Sequence, residues 1–230
     1  MATVLITGTN RGIGLEFVRQ YLARGDQVIA TCRDPDGAAE LLELQQEHTG
    51  LTVLALDVSQ SQSIETFAQG LDGQAIDIFI NNAGVYGPRD PKIGNFDGDT
   101  WAQVMQINAI APFLLTQAVM VNLRKGTAKK IIYITSKMGS VGDNSGGGSY
   151  LYRASKAALN AAAKSVAIDL AGEGFRAAVL HPGWVLTDMG GPNALIDSTT
   201  SVNGMMNVID NLSAAQSGGF FAYDGAEIPW

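Results

Sequence analysis

Tyr152 and Lys156 lie four residues apart within a stretch, Tyr150 to Ala171, whose apolar spacing predicts a helix, so the two side chains face the same way. An unperturbed tyrosine has a pKa of about 10, too high for ready proton exchange near neutrality. A cation held one turn away favours the phenolate, and lowering the pKa by about three units corresponds to roughly 4 kcal/mol. The pair is a candidate acid–base couple. Tyr150 is not a second one, because its i+4 neighbour is Ala154. A different chemistry is suggested by Thr7-Gly8-Thr9-Asn10-Arg11-Gly12-Ile13-Gly14. Glycines between a strand and a helix allow a tight turn in which backbone N–H groups approach a pyrophosphate, with the helix N-terminus adding a favourable field. The spacing Gly-x-x-x-Gly-x-Gly departs from Gly-x-Gly-x-x-Gly, and an ordinary tight turn would also satisfy it. With no Lys-Ser/Thr after Gly14, a nucleotidase P-loop is disfavoured.

The elements that must position these residues alternate between short β-branched runs and longer helical stretches. Strands are predicted at Val4 to Ile6, Val28 to Cys32, Thr52 to Leu56, Ile76 to Ile80, Lys130 to Thr135, Arg176 to Leu180 and Gly219 to Tyr223. Helices are predicted near residues 15–24, 37–48, 61–71, 101–123, 150–171 and 200–212. Near-continuous apolar strands alternating with helices imply a parallel sheet buried on both faces. No low-complexity linker or internal repeat divides the chain. The expectation is α/β: a single-domain, doubly wound parallel sheet, a Rossmann fold of about seven strands, over residues 1–230.

Composition excludes several other classes. The chain has 230 residues, 46% hydrophobic and 16% charged, so it can bury a sizeable core. Its 27 glycines have no collagen-like period and so serve turns and close backbone approaches. With 15 Lys/Arg against 22 Asp/Glu the net charge is −7, and no basic run is longer than two, which argues against nucleic acid or an anionic membrane surface as a partner. One cysteine, Cys32, rules out an internal disulfide and a Cys-based zinc site, and two histidines make a His-rich metal site unexpected. His181 ends a strand and reads as structural, and His48 as the end of a helix. Trp230 and Tyr223 read as packing residues. Residues 107–123 are very apolar but contain Asn108, Pro112, Thr116, Gln117 and Asn122 and fall short of the ~20 residues a membrane span needs. The N-terminus carries no signal-peptide pattern. A cytoplasmic location is expected.

Thr7-Gly8-x-x-x-Gly12-Ile13-Gly14, Asp57-Val58, Asn81-Asn82-Ala83-Gly84, Asn108, Ser136, Tyr152-x-x-x-Lys156 and Pro182-Gly183 stand in the order seen in the short-chain dehydrogenases/reductases. The chain resembles that family from residue 3 to the segment 225–230. Thr31-Cys32-Arg33-Asp34, Tyr152-Arg153-Ala154-Ser155-Lys156 and His181-Pro182-Gly183-Trp184-Val185-x-Thr187-Asp188-Met189 are most similar to its carbonyl-reductase and C-factor (sniffer)-like subgroup. The resemblance implies hydride transfer between a nicotinamide dinucleotide and a carbonyl or alcohol. Tyr152 would then protonate the oxygen and Ser136 polarise it, while Lys156 binds the nicotinamide ribose and tunes Tyr152. Asn108 would hold a water that links Lys156 to solvent. Ser136 precedes Tyr152 by 16 residues, against about 13 expected in the family, and the excess falls in the Gly-rich segment Asn144 to Ser149. Ser140 is the rival hydroxyl, but it lies past Gly139, off the strand end.

For the dinucleotide, the resemblance assigns Gly8, Asn10, Arg11, Gly12, Ile13 and Gly14 to the phosphates and Asp57 and Val58 to the adenine. Asn82, Ala83 and Gly84 would line the ribose side, and Pro182, Gly183, Val185 and Thr187 would clasp the carboxamide. An acid at the end of the second strand suits the 2′-hydroxyl of NAD, whereas an arginine suits the 2′-phosphate of NADP. Arg33 and Asp34 stand side by side there, so spacing alone does not decide. Two cations, Arg33 and Arg11, against one acid, together with the resemblance, favour NADP(H). Substrate loops are expected at about 85–99 and 188–203, the second a mobile lid broken by Gly190-Gly191-Pro192. The expected activity is NADPH-dependent reduction of a small ketone or aldehyde, or the reverse oxidation, by a homodimer or homotetramer. A 3-oxoacyl-carrier-protein reductase would want a basic cleft mouth, which the region from Tyr86 to Phe96 does not supply. An NADP-binding sensor or signalling protein would have no chemical need of Ser136, Tyr152, Lys156 and Asn108 together.

Overall fold

Alternation along the strands explains why the chain forms two apolar layers. Val4 and Ile6 point to one side of the first strand and Leu5 to the other; Ile132 and Ile134 oppose Ile131 and Tyr133 in the fifth. The computed structural model describes residues 1–89 and 92–230. Its strands are β1 (Thr3–Thr7), β2 (Gln27–Cys32), β3 (Leu51–Ala55), β4 (Ile78–Asn81), β5 (Lys130–Ile134), β6 (Arg176–His181) and β7 (Phe220–Ala222). All neighbours pair in parallel, in the order β3-β2-β1-β4-β5-β6-β7. The connecting helices are α1 (Gly12–Ala23), α2 (Ala39–Glu47), α3 (Ser61–Gly70), α4 (Gly98–Met105), α5 (Ala111–Ala118), α6 (Met120–Lys125), α7 (Tyr150–Asp169) and α8 (Ser198–Asn211). Helices α1, α2 and α8 cover one face; α3, α5, α6 and α7 cover the other. This is the Rossmann-like doubly wound sheet expected from the sequence.

Strand order reverses between β1 and β4, and at such a switch point the strands' carboxyl ends open a crevice. The glycine loop after β1 and the Asn-Ala-Gly turn after β4 both emerge there.

One helix differs from expectation. The single helix predicted over 101–123 is three helices, with a π-helical turn, Gln106–Ile110, between α4 and α5. Pro112, in the first turn of α5, cannot give an N–H to the carbonyl four residues back, which is that of Asn108. The Asn108 side chain meanwhile reaches across to Val85, and the widened turn accommodates both. The loops differ too. Asp97 caps α4 through Thr100 N (2.7 Å) and Asp197 caps α8 through Thr200 N (2.7 Å). Residues 98–99 and 198–203 are therefore helical rather than loop. Of the expected loop 85–99, Asp90 and Pro91 lie outside the described residues. Among the described residues no helix is long and apolar enough to cross a membrane, and no group of His, Cys, Asp and Glu could hold a metal ion.

Candidate active site

The crevice is a cleft of about 480 Å³ bordered by the glycine loop, the ends of β2 to β6, and the segment after β6. Close backbone approach builds its floor. Gly8 has φ +69, and a Cβ there would lie 2.9 Å from the Ala83 Cα; a Cβ on Gly14 would lie 2.1 Å from the Gly8 carbonyl oxygen. Thr7 fixes the strand ends together. Its hydroxyl accepts from Asn82 N (3.0 Å) and Ala83 N (3.0 Å), while Asn82 Nδ2 donates to the carbonyls of Thr7 (2.9 Å) and Gly8 (3.0 Å). Asn82 thus spends its side chain on the β1–β4 junction. No side chain caps the N-terminus of α1, so the first-turn N–H groups of Gly12, Ile13 and Gly14 remain for a ligand oxygen. Gly8, Asn10, Arg11, Gly12, Ile13, Gly14, Asn82, Ala83 and Gly84 all line the cleft. This cradle fits the pyrophosphate of a dinucleotide.

At the carboxyl end of β2 the structure separates the two residues that sequence left level. Arg33 lines the cleft, exposed and without an ion pair to any described residue. Asp34 is turned away: its Oδ1 accepts from Gly37 N (3.2 Å), and it lies off the cleft wall. Asp57 and Val58 line the same end, where Asp57 Oδ1 accepts from Ser59 N (2.9 Å) and Ser59 Oγ (2.7 Å). Arg11 borders the cleft but pairs with Asp188 at 2.8 Å across the mouth; both side chains are largely exposed, so the pair contributes little stability and yields readily to an anion.

Tyr152 and Lys156 project from the first turns of α7 into the cleft. The Lys156 Nζ donates to the Ile134 carbonyl (2.9 Å) and lies 5.8 Å from the Tyr152 ring centroid. Burial lowers the Lys156 pKa to about 8. Burial also pushes Tyr152 up to about 12, with the Ser136 hydroxyl acting against that rise. Desolvation penalises the phenolate more than the neighbouring hydroxyl favours it, so these surroundings raise the Tyr152 pKa where the i+4 lysine was expected to lower it. Tyr152 is a protonated phenol across the neutral range. Ser136 begins a short 3₁₀ turn, Lys137–Gly139, and its Oγ accepts from Met138 N (3.1 Å). Arg153 braces the enlarged loop before α7 by donating to the carbonyls of Gly147 (3.2 Å) and Met138 (3.3 Å). The longer Ser136–Tyr152 spacing is thus absorbed without separating the pair.

Asn108 is fully buried, and its amide is occupied. Its Oδ1 accepts from Val85 N (2.8 Å), and its Nδ2 donates to Val85 O (2.7 Å) and Ser155 Oγ (3.0 Å). His181 is neutral at physiological pH, since burial, and then Lys137, lower its pKa to about 4. Pro182 and Thr187 line the cleft, whereas Gly183 and Val185 do not: Gly183 packs on Ile196 and Tyr223, and Val185 is buried and bridges Ile196. Leu186, Asp188 and Met189 take their place on the wall. Sequence reasoning quoted Thr7 and Ser155 as motif members but gave neither a role; a Thr just before the first glycine and a Ser just before the lysine were the signals. Tyr86 entered it only as one end of a region without a basic cleft mouth.

The family model described as short chain dehydrogenase matches residues 2–195. The C-signal protein of Myxococcus xanthus is 46% identical over 167 residues, which span 73% of this chain and all of that protein. Two solved structures superpose over the whole chain. Carbonyl reductase Sniffer of D. melanogaster has TM-score 0.95 and 34% identity, with 100% of each chain covered. NADPH-bound carbonyl reductase from chicken fatty liver has TM-score 0.94 and 37% identity, with 99% of that chain covered.

Proposed function

The chain belongs to the short-chain dehydrogenase family, and from that premise we propose that it reduces a ketone or aldehyde to the alcohol with NADPH, and runs the reverse oxidation. The observation that carries this reading is that Tyr152 and Lys156 line the same cleft as the dinucleotide cradle, with the Ser136 hydroxyl beside the Tyr152 phenol. NADPH supplies the hydride when bound. Tyr152 gives its phenolic proton to the nascent alkoxide, a transfer for which a protonated phenol at neutral pH is prepared. Ser136 donates a hydrogen bond to the same oxygen and so favours charge development there. Lys156 binds the nicotinamide ribose and returns a proton toward Tyr152. Asn108 would hold the water that connects Lys156 to solvent: its Oδ1 and the Lys156 Nζ flank Gly84, 3.2 and 3.6 Å from where a Cβ on that glycine would stand.

Arg33 and Arg11 neutralise the 2′-phosphate. NADP preference is supported by the position of Arg33 on the cleft wall with Asp34 turned to Gly37. Steady-state kinetics with NADPH and NADH tests it. Replacing Arg33 by Ser raises KM for NADPH about 10–100-fold, the loss of one charge-assisted phosphate contact worth about 1.5–3 kcal/mol, and leaves KM for NADH nearly unchanged. Equal effects on both coenzymes would move the preference elsewhere.

A signalling reading draws on the C-signal relative. It is the weaker one, because coenzyme binding without turnover gives no reason for Tyr152, Lys156 and Ser136 to converge.

A further inference from the structure

Resting on the reductase reading, we propose that Tyr86 is a positioning residue for Tyr152: its ring, held at both of its ends, aims the Tyr152 phenol into the cleft. The two rings stack with centroids 4.5 Å apart and an interplanar angle of 26°, the closest ring pair among the described residues. Offset stacking at this distance favours one relative orientation. Tyr152 needs such a support. It is the third residue of α7, whose N-terminus has no side-chain cap, and the backbone alone does not fix the ring of a first-turn residue.

Tyr86 is itself tied down three ways. Its hydroxyl shares a 2.8 Å hydrogen bond with Ser149 Oγ, and Ser149 occupies the left-handed region (φ 47, ψ 40) immediately before α7. A non-glycine residue in that region costs free energy and persists only where neighbours enforce it. The Arg89 guanidinium lies 5.9 Å from the Tyr86 ring centroid on its way to the carbonyls of Asp188 (3.3 Å) and Met189 (3.2 Å), so the same ring is joined to the segment that closes the cleft. Behind it, Val85 is held through both its N–H and its carbonyl by Asn108.

These contacts close a circuit. Asn108 fixes Val85, which places Tyr86 on the Tyr152 ring; Asn108 Nδ2 also donates to Ser155 Oγ, which donates to the Tyr152 carbonyl at 2.8 Å. Ring and backbone of Tyr152 are thereby referred to one buried amide. The Asn108 side chain acquires a purpose distinct from proton supply, and the Tyr86 ring is the member of the circuit that touches the reacting group.

The test compares Tyr86→Leu, which removes the ring, with Tyr86→Phe, which keeps it. In NADPH-dependent carbonyl reduction, Tyr86→Leu lowers kcat roughly 10–100-fold, the scale of a misaligned catalytic group, with KM for NADPH unchanged, and Tyr86→Phe recovers most of the loss. A second readout needs no turnover. In the NADP⁺-bound protein labelled with ζ-¹³C tyrosine, the Tyr152 resonance, assigned by its absence in Tyr152→Phe, titrates nearer the ordinary tyrosine value in Tyr86→Leu and not in Tyr86→Phe. Should Tyr86→Leu fail to fold, Tyr86→Met makes the same comparison. Unchanged kcat and unchanged titration in the ring-less variant overturn the proposal. A wild-type protein that reduces no carbonyl overturns the reductase reading instead, and the titration still decides the role of Tyr86.

Discussion

Tyr152→Phe reduces kcat for carbonyl reduction by about 10²–10⁴-fold, the range for removal of a general acid, while NADPH binding and the folding midpoint stay near wild type. The selectivity of the loss follows from the geometry. Phenylalanine keeps the ring that stacks on Tyr86 and adds no atom to the α7 packing. Only the oxygen is removed, and that oxygen's proton is the one the proposed reaction needs. The phenol is buried and held protonated, with its pKa pushed up to about 12. Fluorescence titration with NADPH separates this loss from a failure of binding, and circular dichroism separates it from unfolding. A variant with half of wild-type kcat would transfer the proton step to another group.

Gly14→Ala is the second large effect, and it acts on the other end of the cleft. A Cβ at this position would stand 2.1 Å from the Gly8 carbonyl oxygen and 2.6 Å from Asn82 Nδ2. Neither atom can retreat freely: the first is backbone, and the second already donates to Thr7 and Gly8. The loop must open, which parts the β1 and β4 ends and spoils the line of first-turn N–H groups. Coenzyme binding is expected to weaken about 10–100-fold, equivalent to about 1.4–2.8 kcal/mol, with overpacking costing about 1–3 kcal/mol of stability. Gly70→Ala is the control, since a Cβ there meets nothing within 4 Å and the backbone is ordinary. Dissociation constants and thermal midpoints of both variants check the pair of expectations. Equal behaviour would mean that the cradle tolerates a methyl group the close approach forbids.

What was legible in the sequence follows from the range of the interactions involved. Seven strands, their parallel pairing and the glycine loop depend on period-two alternation and on local turns, which a linear reading captures. Tyr152 and Lys156 share a helix face for the same reason. The unbroken helix over 101–123 was a misreading because its π turn answers to a contact between Asn108 and Val85, 23 residues away. For Tyr152, spacing shows the nearby cation but not the burial that pushes its pKa the other way. Arg33 and Asp34 could be separated only once the turn at Gly37 drew the carboxylate aside. Gly183 and Val185 carry the motif but pack behind the cleft against residues 196 and 223. Tyr86 has no motif at all; its relation to Tyr152 spans 66 residues and exists only in three dimensions.

The most direct test of the account is hydride transfer itself. NADPH deuterated at carbon 4 of the nicotinamide is incubated with the protein and a panel of aldehydes, ketones and diketones, and the products are examined by mass spectrometry. The account predicts alcohol carrying one deuterium on the carbinol carbon, formed in step with coenzyme oxidation and suppressed in Tyr152→Phe. Tight binding of NADPH with no labelled alcohol from any carbonyl would contradict it and turn attention to a protein that senses the coenzyme without consuming it.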